Sequence, residues 1–300
     1  MRERGSLLDE RGGRYSFLHL TFQEYLCAYY LAETVREVDK IVAFLAQEGR
    51  LAQAWWRETI LLVAGYLGLK SEETALGLIR RLADLGTVDA QALAAAELAG
   101  TAMLELDSQD PPTRHLAAGR LAGLLTNPDL EAANELRALA GRSLGWLGDP
   151  REDVGCQVPF MVELPAGPFL MGSDKNVDGL AYDDELPQHD LNLPAYRIGR
   201  YPVTVAQYSR FVEAGGYRER RFWTPAGWDW QQQDKVTEPR LWDDPQWTAP
   251  NHPVVGVNWY EAVAYCAWLS ETTGRSFLLP DEAMWEKASN IRIFGLLRLF

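Results

Sequence analysis

Hydrophobic positions change their spacing twice along this chain. Over residues 14–150 they recur every three or four positions, the period of helices with one buried face. Thr21 with Glu24 predicts a capping box, and Phe22, Tyr25, Leu26, Tyr29 and Tyr30 predict a wide buried stripe behind it. The run Tyr15–Leu20 reads as a short strand or turn docking on that helix, whereas residues 1–13 carry charge and glycine without a period. Helical spacing continues through Ile41–Ala46, Trp55–Leu69, Glu73–Leu85 and Ala90–Leu106, and Pro111-Pro112 interrupts it. Two similar units follow at 114–125 and 137–150, each with a Gly-Arg pair (Gly119-Arg120, Gly141-Arg142). Small residues at those pairs predict close helix packing. Residues 36–150 therefore read as a stacked, HEAT-like α-helical array, with residues 151–160 as a linker.

Beyond Phe160 the pattern becomes extended. Met161–Ser173 reads as strand, Pro-Ala-Gly turn and strand, and Leu186–Thr204 gives short runs broken by Pro187, Pro194 and Pro202. Thr204 with Gln207 opens a helix that Gly215-Gly216 stops. Tyr217–Asn251 reads as a long loop without elements of its own, carrying five of the chain's 11 tryptophans. Asn258 with Glu261 caps the next helix, on which Trp259, Val263, Cys266 and Ala267 predict the buried face and Gly274 the stop. Phe277–Leu279 is extended, and a final helix starts at Glu282.

Charge and reactive residues narrow the function classes. A net charge of −13 with scattered Lys and Arg argues against a nucleic-acid surface. The longest apolar run, Ile60–Leu69, is too short to span a membrane, and the N-terminus has no apolar signal core. Cys27, Cys156 and Cys266 form no C-x-x-C pair, which fits reduced thiols in a cytoplasm. His19, His115, His189 and His252 are isolated from one another. Asp174, Asn176, Asp178, Gly179 and Glu185 have the offsets of a calcium loop but no flanking helices, so they read as a solvated acidic loop. Trp223, Trp228, Trp230 and Trp242 offer two readings: a recognition loop for a protein or peptide, or packing within the domain.

Two resemblances add to this picture. Phe17, His19, Thr21, Phe22, Gln23, Glu24 and Tyr25 resemble the signature that ends a NACHT-type signalling module, here residues 1–35. None of the five lysines follows a glycine, so the phosphate-cradling loop of that family's ATPase is absent from this sequence. Glu163–Ser173, Asp184–His189, Ile198–Gly216, His252–Ser270 and Leu279–Ala288 resemble the formylglycine-generating enzymes, or sulfatase-modifying factors. That resemblance implies an irregular α+β fold similar to C-type lectins, with residues 161–289 as its N-terminal half. It also implies copper held by two cysteines, bound calcium, and oxidation of a sulfatase cysteine to formylglycine. No residue here matches the catalytic cysteine pair, so no cofactor and no catalytic residue is assigned to this chain. The ergothioneine-synthase branch of the family uses iron on an H-x3-H-x-E cluster, which does not occur here either. Residues 290–300 depart from the family as an apolar tail, read as a truncation or frameshift. The chain thus reads as the C-terminal portion of a NACHT-type signalling protein whose formylglycine-enzyme-like domain recognises or effects. The alternative is a copper-dependent oxidase in the full-length parent.

Overall fold

The computed structural model describes residues 8–17 and 19–290, in two compact units that divide between Arg151 and Glu152. The apolar segment 291–300 lies outside the described residues. The chain is mostly helical, with short two-stranded ladders as its only sheets among those residues.

The first unit opens on a hairpin. Strand β1 (Leu8–Arg11) pairs antiparallel with β2 (Arg14–Phe17), in register Leu8 to Phe17 and Arg11 to Arg14. Gly12 and Gly13 both take positive φ, 59° and 76°, which is the turn that matches strand twist. Helix α1 (Leu20–Tyr30) departs from the expected register. Its N-cap is His19 with no side-chain cap bond, so the Thr21–Glu24 capping box does not form. Glu24, Ala28 and Leu31 face inward, while Phe22, Tyr25, Leu26, Tyr29 and Tyr30 are exposed. The buried line has the 24, 28, 31 spacing, and α1 packs along it on α3. Leu31–Val35 continues as one turn of π-helix, ending at Arg36 with φ 63°.

Helices α2 (Val38–Ala46), α3 (Arg57–Lys70), α4 (Glu72–Ala83), α5 (Ala90–Glu105), α6 (Pro111–Leu125) and α7 (Asn134–Leu147) complete the unit. Pro111 opens α6 at its first turn behind the Asp110 cap, so the proline pair starts a helix as well as interrupting one. Alanine-rich α5 is buried on nearly every side and packs against α3, α4, α6 and α7. The glycines that allow close packing are Gly68 and Gly100. A Cβ at Gly100 would lie 3.0 Å from Leu147 and 3.3 Å from Leu121. At Gly119 and Gly141 it would meet nothing within 4 Å, so the Gly-Arg pairs do not serve the packing expected of them.

In the second unit, residues expected to be linker include a helical turn, α8 (Glu152–Gly155). Val154 is buried, the Thr204 hydroxyl donates to its carbonyl at 3.0 Å, and Arg200 pairs with Asp153. Strands β3 (Met161–Leu164) and β4 (Gly167–Met171) flank the Pro-Ala-Gly turn but do not pair with each other. Instead β3 pairs with β6 (Tyr196–Gly199) and β4 with β5 (His189–Leu193), both antiparallel. Helix α9 (Val205–Glu213) carries the expected Thr204–Gln207 capping box. The expected loop at 217–251 has elements of its own: a 3-10 turn at Arg220–Phe222 and helix α10 (Pro225–Asp234), capped by Thr224 with proline at its first turn. Helix α11 (Trp259–Thr273) has both halves of the Asn258–Glu261 box and stops at Gly274, φ 67°. Its buried face is Glu261, Ala264, Tyr265, Trp268 and Leu269; Trp259, expected inside, is exposed. Helix α12 (Glu282–Asn290) ends the described chain.

Candidate functional site

The chemistry-bearing side chains of the second unit converge between α9 and α11. The two capped helices are positioned by extended backbone: Val205 N donates to His252 O at 2.8 Å, and Val254 N to Val203 O at 2.9 Å. Tyr208 and Phe211 from α9 meet Tyr265 and Trp268 from α11. The Tyr208 and Tyr265 rings stack at 5.1 Å, and Phe211 meets Tyr265 edge-on at 6.0 Å. Gly216 permits this closure, because a Cβ there would sit 2.0 Å from the Phe211 ring.

Glu261 sits at the centre, 2% exposed. One carboxylate oxygen accepts from Asn258 N at 2.8 Å, completing the helix cap. The other accepts from the Tyr217 hydroxyl at 2.7 Å, and Tyr217 is 3.2 Å from the Tyr208 hydroxyl. Burial pushes the Glu261 carboxyl above its usual range, against the bonds from Tyr217 and Asn258. Burial likewise pushes the Tyr208, Tyr217 and Tyr265 hydroxyls up, so all three stay protonated at neutral pH. A chain of phenols ending on a carboxylate can hold or pass a proton, but here each member lies in the aromatic core. The sequence signal for it was the capping box; Tyr217 has no local signal that points to Glu261.

The four tryptophans of the expected recognition loop join the same core. Trp223 is buried and its indole Nε1 donates to Gly216 O at 2.9 Å. Trp228, Trp230 and Trp242 pack part-buried against this cluster, with Trp230 stacked on Tyr260 at 6.0 Å. Within 217–251 the exposed tryptophan is Trp247.

The acidic stretch is built from local turns. Asp174 accepts from the backbone and side-chain nitrogens of Asn176 at 2.9 Å, Asp178 accepts from Leu180 N, and Glu185 accepts from the Ser173 hydroxyl at 3.0 Å. Its carboxylates turn to their own neighbours and do not converge on one point. Among the described residues no group of three His, Cys, Asp or Glu side chains is placed to hold a metal ion.

Comparison with known proteins places this geometry. Residues 148–292 match the sulfatase-modifying factor enzyme 1-like domain. This stretch is similar to domains of that type. A hercynine oxygenase from Mycolicibacterium thermoresistibile is 40% identical over 131 residues, covering 40% of this chain and 28% of that protein. A formylglycine-generating enzyme from Thermomonospora curvata is 33% identical over 158 residues, covering 43% and 48%. The mouse inactive C-alpha-formylglycine-generating enzyme 2 is 34% identical over 176 residues, covering 49% and 52%. The chain thus spans between about a quarter and about a half of the length of these relatives.

The sulfatase-modifying-factor resemblance implies copper on a cysteine pair, and the thiols of this domain do not fit one. A soft metal takes thiolates. Burial pushes the Cys266 thiol up to about 11, which keeps it protonated in the α11 helix. Cys156 donates its S–H to Val158 O at 2.8 Å, and Cys27 belongs to the other unit. The acidic turns described above do not converge as calcium requires.

Proposed function

We propose that the sulfatase-modifying-factor-type domain of this chain works as a recognition or effector module of a cytoplasmic signalling protein, with a protein or peptide as its ligand. One observation supports this most directly: the titratable groups at the heart of the domain are consumed by packing. Glu261, Tyr217 and Tyr208 satisfy one another, and the Cys266 thiol is held protonated. The similarity to a mouse relative named inactive is in keeping with a role outside catalysis. In this proposal residues 1–35 end a NACHT-type module, residues 36–150 form a HEAT-like array that relays the state of the domain, and the domain itself has a C-type-lectin-like arrangement.

A second reading is an enzymatic role related to that of the similar hercynine oxygenase and formylglycine-generating enzyme. In it, residues 148–292 supply part of the scaffold of a copper-dependent oxidase that, in the full-length parent, converts a sulfatase cysteine to formylglycine. The two are separated by incubating the full-length parent with a cysteine-containing sulfatase peptide, Cu(I) and oxygen, and weighing the peptide by mass spectrometry. The recognition reading expects an unchanged peptide mass. Catalytic appearance of the aldehyde product would overturn it in favour of the oxidase.

A further inference from the structure

Helix α1 presents a bare aromatic face. Phe22, Tyr25, Leu26, Tyr29 and Tyr30 recur at the three- and four-residue spacing of one helix side, and all five are 40–57% exposed. That spacing ordinarily goes inside, yet the inward line of α1 is Glu24, Ala28 and Leu31. The rings make a continuous surface: Tyr25 and Tyr29 lie 6.5 Å apart, and Tyr29 meets the Tyr66 ring of α3 edge-on at 5.6 Å. The one charged residue of α1, Glu24, is turned into the core. Charge enters at the border, where it is paired. Glu33 accepts from the Tyr66 hydroxyl at 2.7 Å and forms an ion pair with Lys70, whose ammonium lies 5.0 Å from the Tyr66 ring centroid. An aromatic centre without charge inside a paired polar border is the anatomy of a protein interface.

Charge and size select the occupant. The chain carries a net charge of −13, so its copies repel one another at long range. A face of one sign would add to that repulsion and call for a partner of the opposite sign. The α1 face opposes no like charges when it meets its own copy. Aromatic side chains carry about 150–250 Å² each, so at the observed exposures the face offers on the order of 400–500 Å² per copy. Buried from both sides, that area falls at the low end of the interface range, where association is weak and reversible.

We propose that the aromatic face of α1 is a self-association surface, on which a second copy of this chain docks face to face about a twofold axis. The same patch serves both partners, so the contact closes at two copies. It lies in the first unit and stands apart from the activity of the second.

Sedimentation velocity of the full chain over about 1–100 µM tests it, the span in which a weak interface titrates. A monomer–dimer equilibrium is expected, and it should tighten severalfold between about 0.05 and 0.5 M salt as the net charge is screened. Tyr25→Glu and Tyr29→Glu set like charges against each other across the axis, and each should weaken the dimer at least about tenfold. Tyr25→Phe should leave it unchanged. Circular dichroism confirms that the variants are folded, and Tyr25→Ser serves if a glutamate variant is not. A monomer at every concentration would overturn the proposal and leave the face to a different partner. A dimer that the folded variants leave intact, or that salt dissociates, would overturn it too. So would assemblies that grow beyond two copies with concentration.

Discussion

Glu261 serves a backbone and a side chain at once, and its burial makes stability depend on pH. Its carboxyl has a folded value raised above the ordinary 4.5, because the charged form is desolvated. The folded state then holds the proton more tightly than the unfolded chain does. Stability from this group is fully present below about 4.5 and falls as pH rises through the raised folded value. Glu105 in the first unit, raised by burial and by Glu58, contributes with the same sign. Denaturant midpoints measured across this window should show a downward slope with rising pH that is shallower in Glu261→Gln. An unchanged slope in that variant would place the titration elsewhere. At this scale the sequence discloses Glu261 as a capping residue and conceals it as an acceptor for Tyr217, because the two are 44 positions apart.

Among elements, helix starts were legible wherever the cap is local. Thr204–Gln207 and Asn258–Glu261 both close as their spacing predicts, since each box joins atoms three residues apart. Thr21–Glu24 has the same spacing and fails, because tertiary packing turns Glu24 inward against α3 and starts the helix at Leu20. Helix α10 has a start signal in Thr224-Pro225 but shows no apolar stripe over its ten residues, so hydrophobic spacing does not disclose it. Several helix ends rely on distant arginines that no local pattern discloses: Arg114 donates to Leu147 O at 2.9 Å, and Arg137 to Leu125 O at 2.9 Å. Asn258→Ala should destabilise the second unit by about 1 kcal/mol through loss of the α11 cap. Chemical denaturation of the variant checks it; a loss near zero would mean that Glu261 holds the helix start alone.

At the scale of the whole chain, the break in hydrophobic period near residue 150 marks the division between units, and the two cores differ in kind. The first is aliphatic and alanine-rich, whereas the second is built from tyrosine, phenylalanine and tryptophan. The first was legible as helices because its contacts follow a regular 3.6-residue period. The second was not, because its tryptophans find partners by fold topology, as Trp223 does with Gly216 and Tyr217. Separate cores predict two thermal transitions in calorimetry. Phe211→Ala, which removes a fully buried ring, should cost about 3–5 kcal/mol and lower one transition while leaving the other in place. A common shift of both transitions would show that the units unfold as one.

The joint between α12 and the strands has a chemical character of its own. Lys287, only 2% exposed, donates from Nζ to the carbonyls of Pro165 and Gly167, each at 2.9 Å, with the Phe169 ring centroid 5.9 Å away. Oxygen dipoles and a π-face around an ammonium make the turn between β3 and β4 a small cation receptor, much as a crown ether is. The helix is plugged into the ladders by a charge, and the socket selects for it: a methionine would fill the same space and leave both carbonyls bare. Acetylation of this amine would remove its charge and leave one N–H to serve two carbonyls.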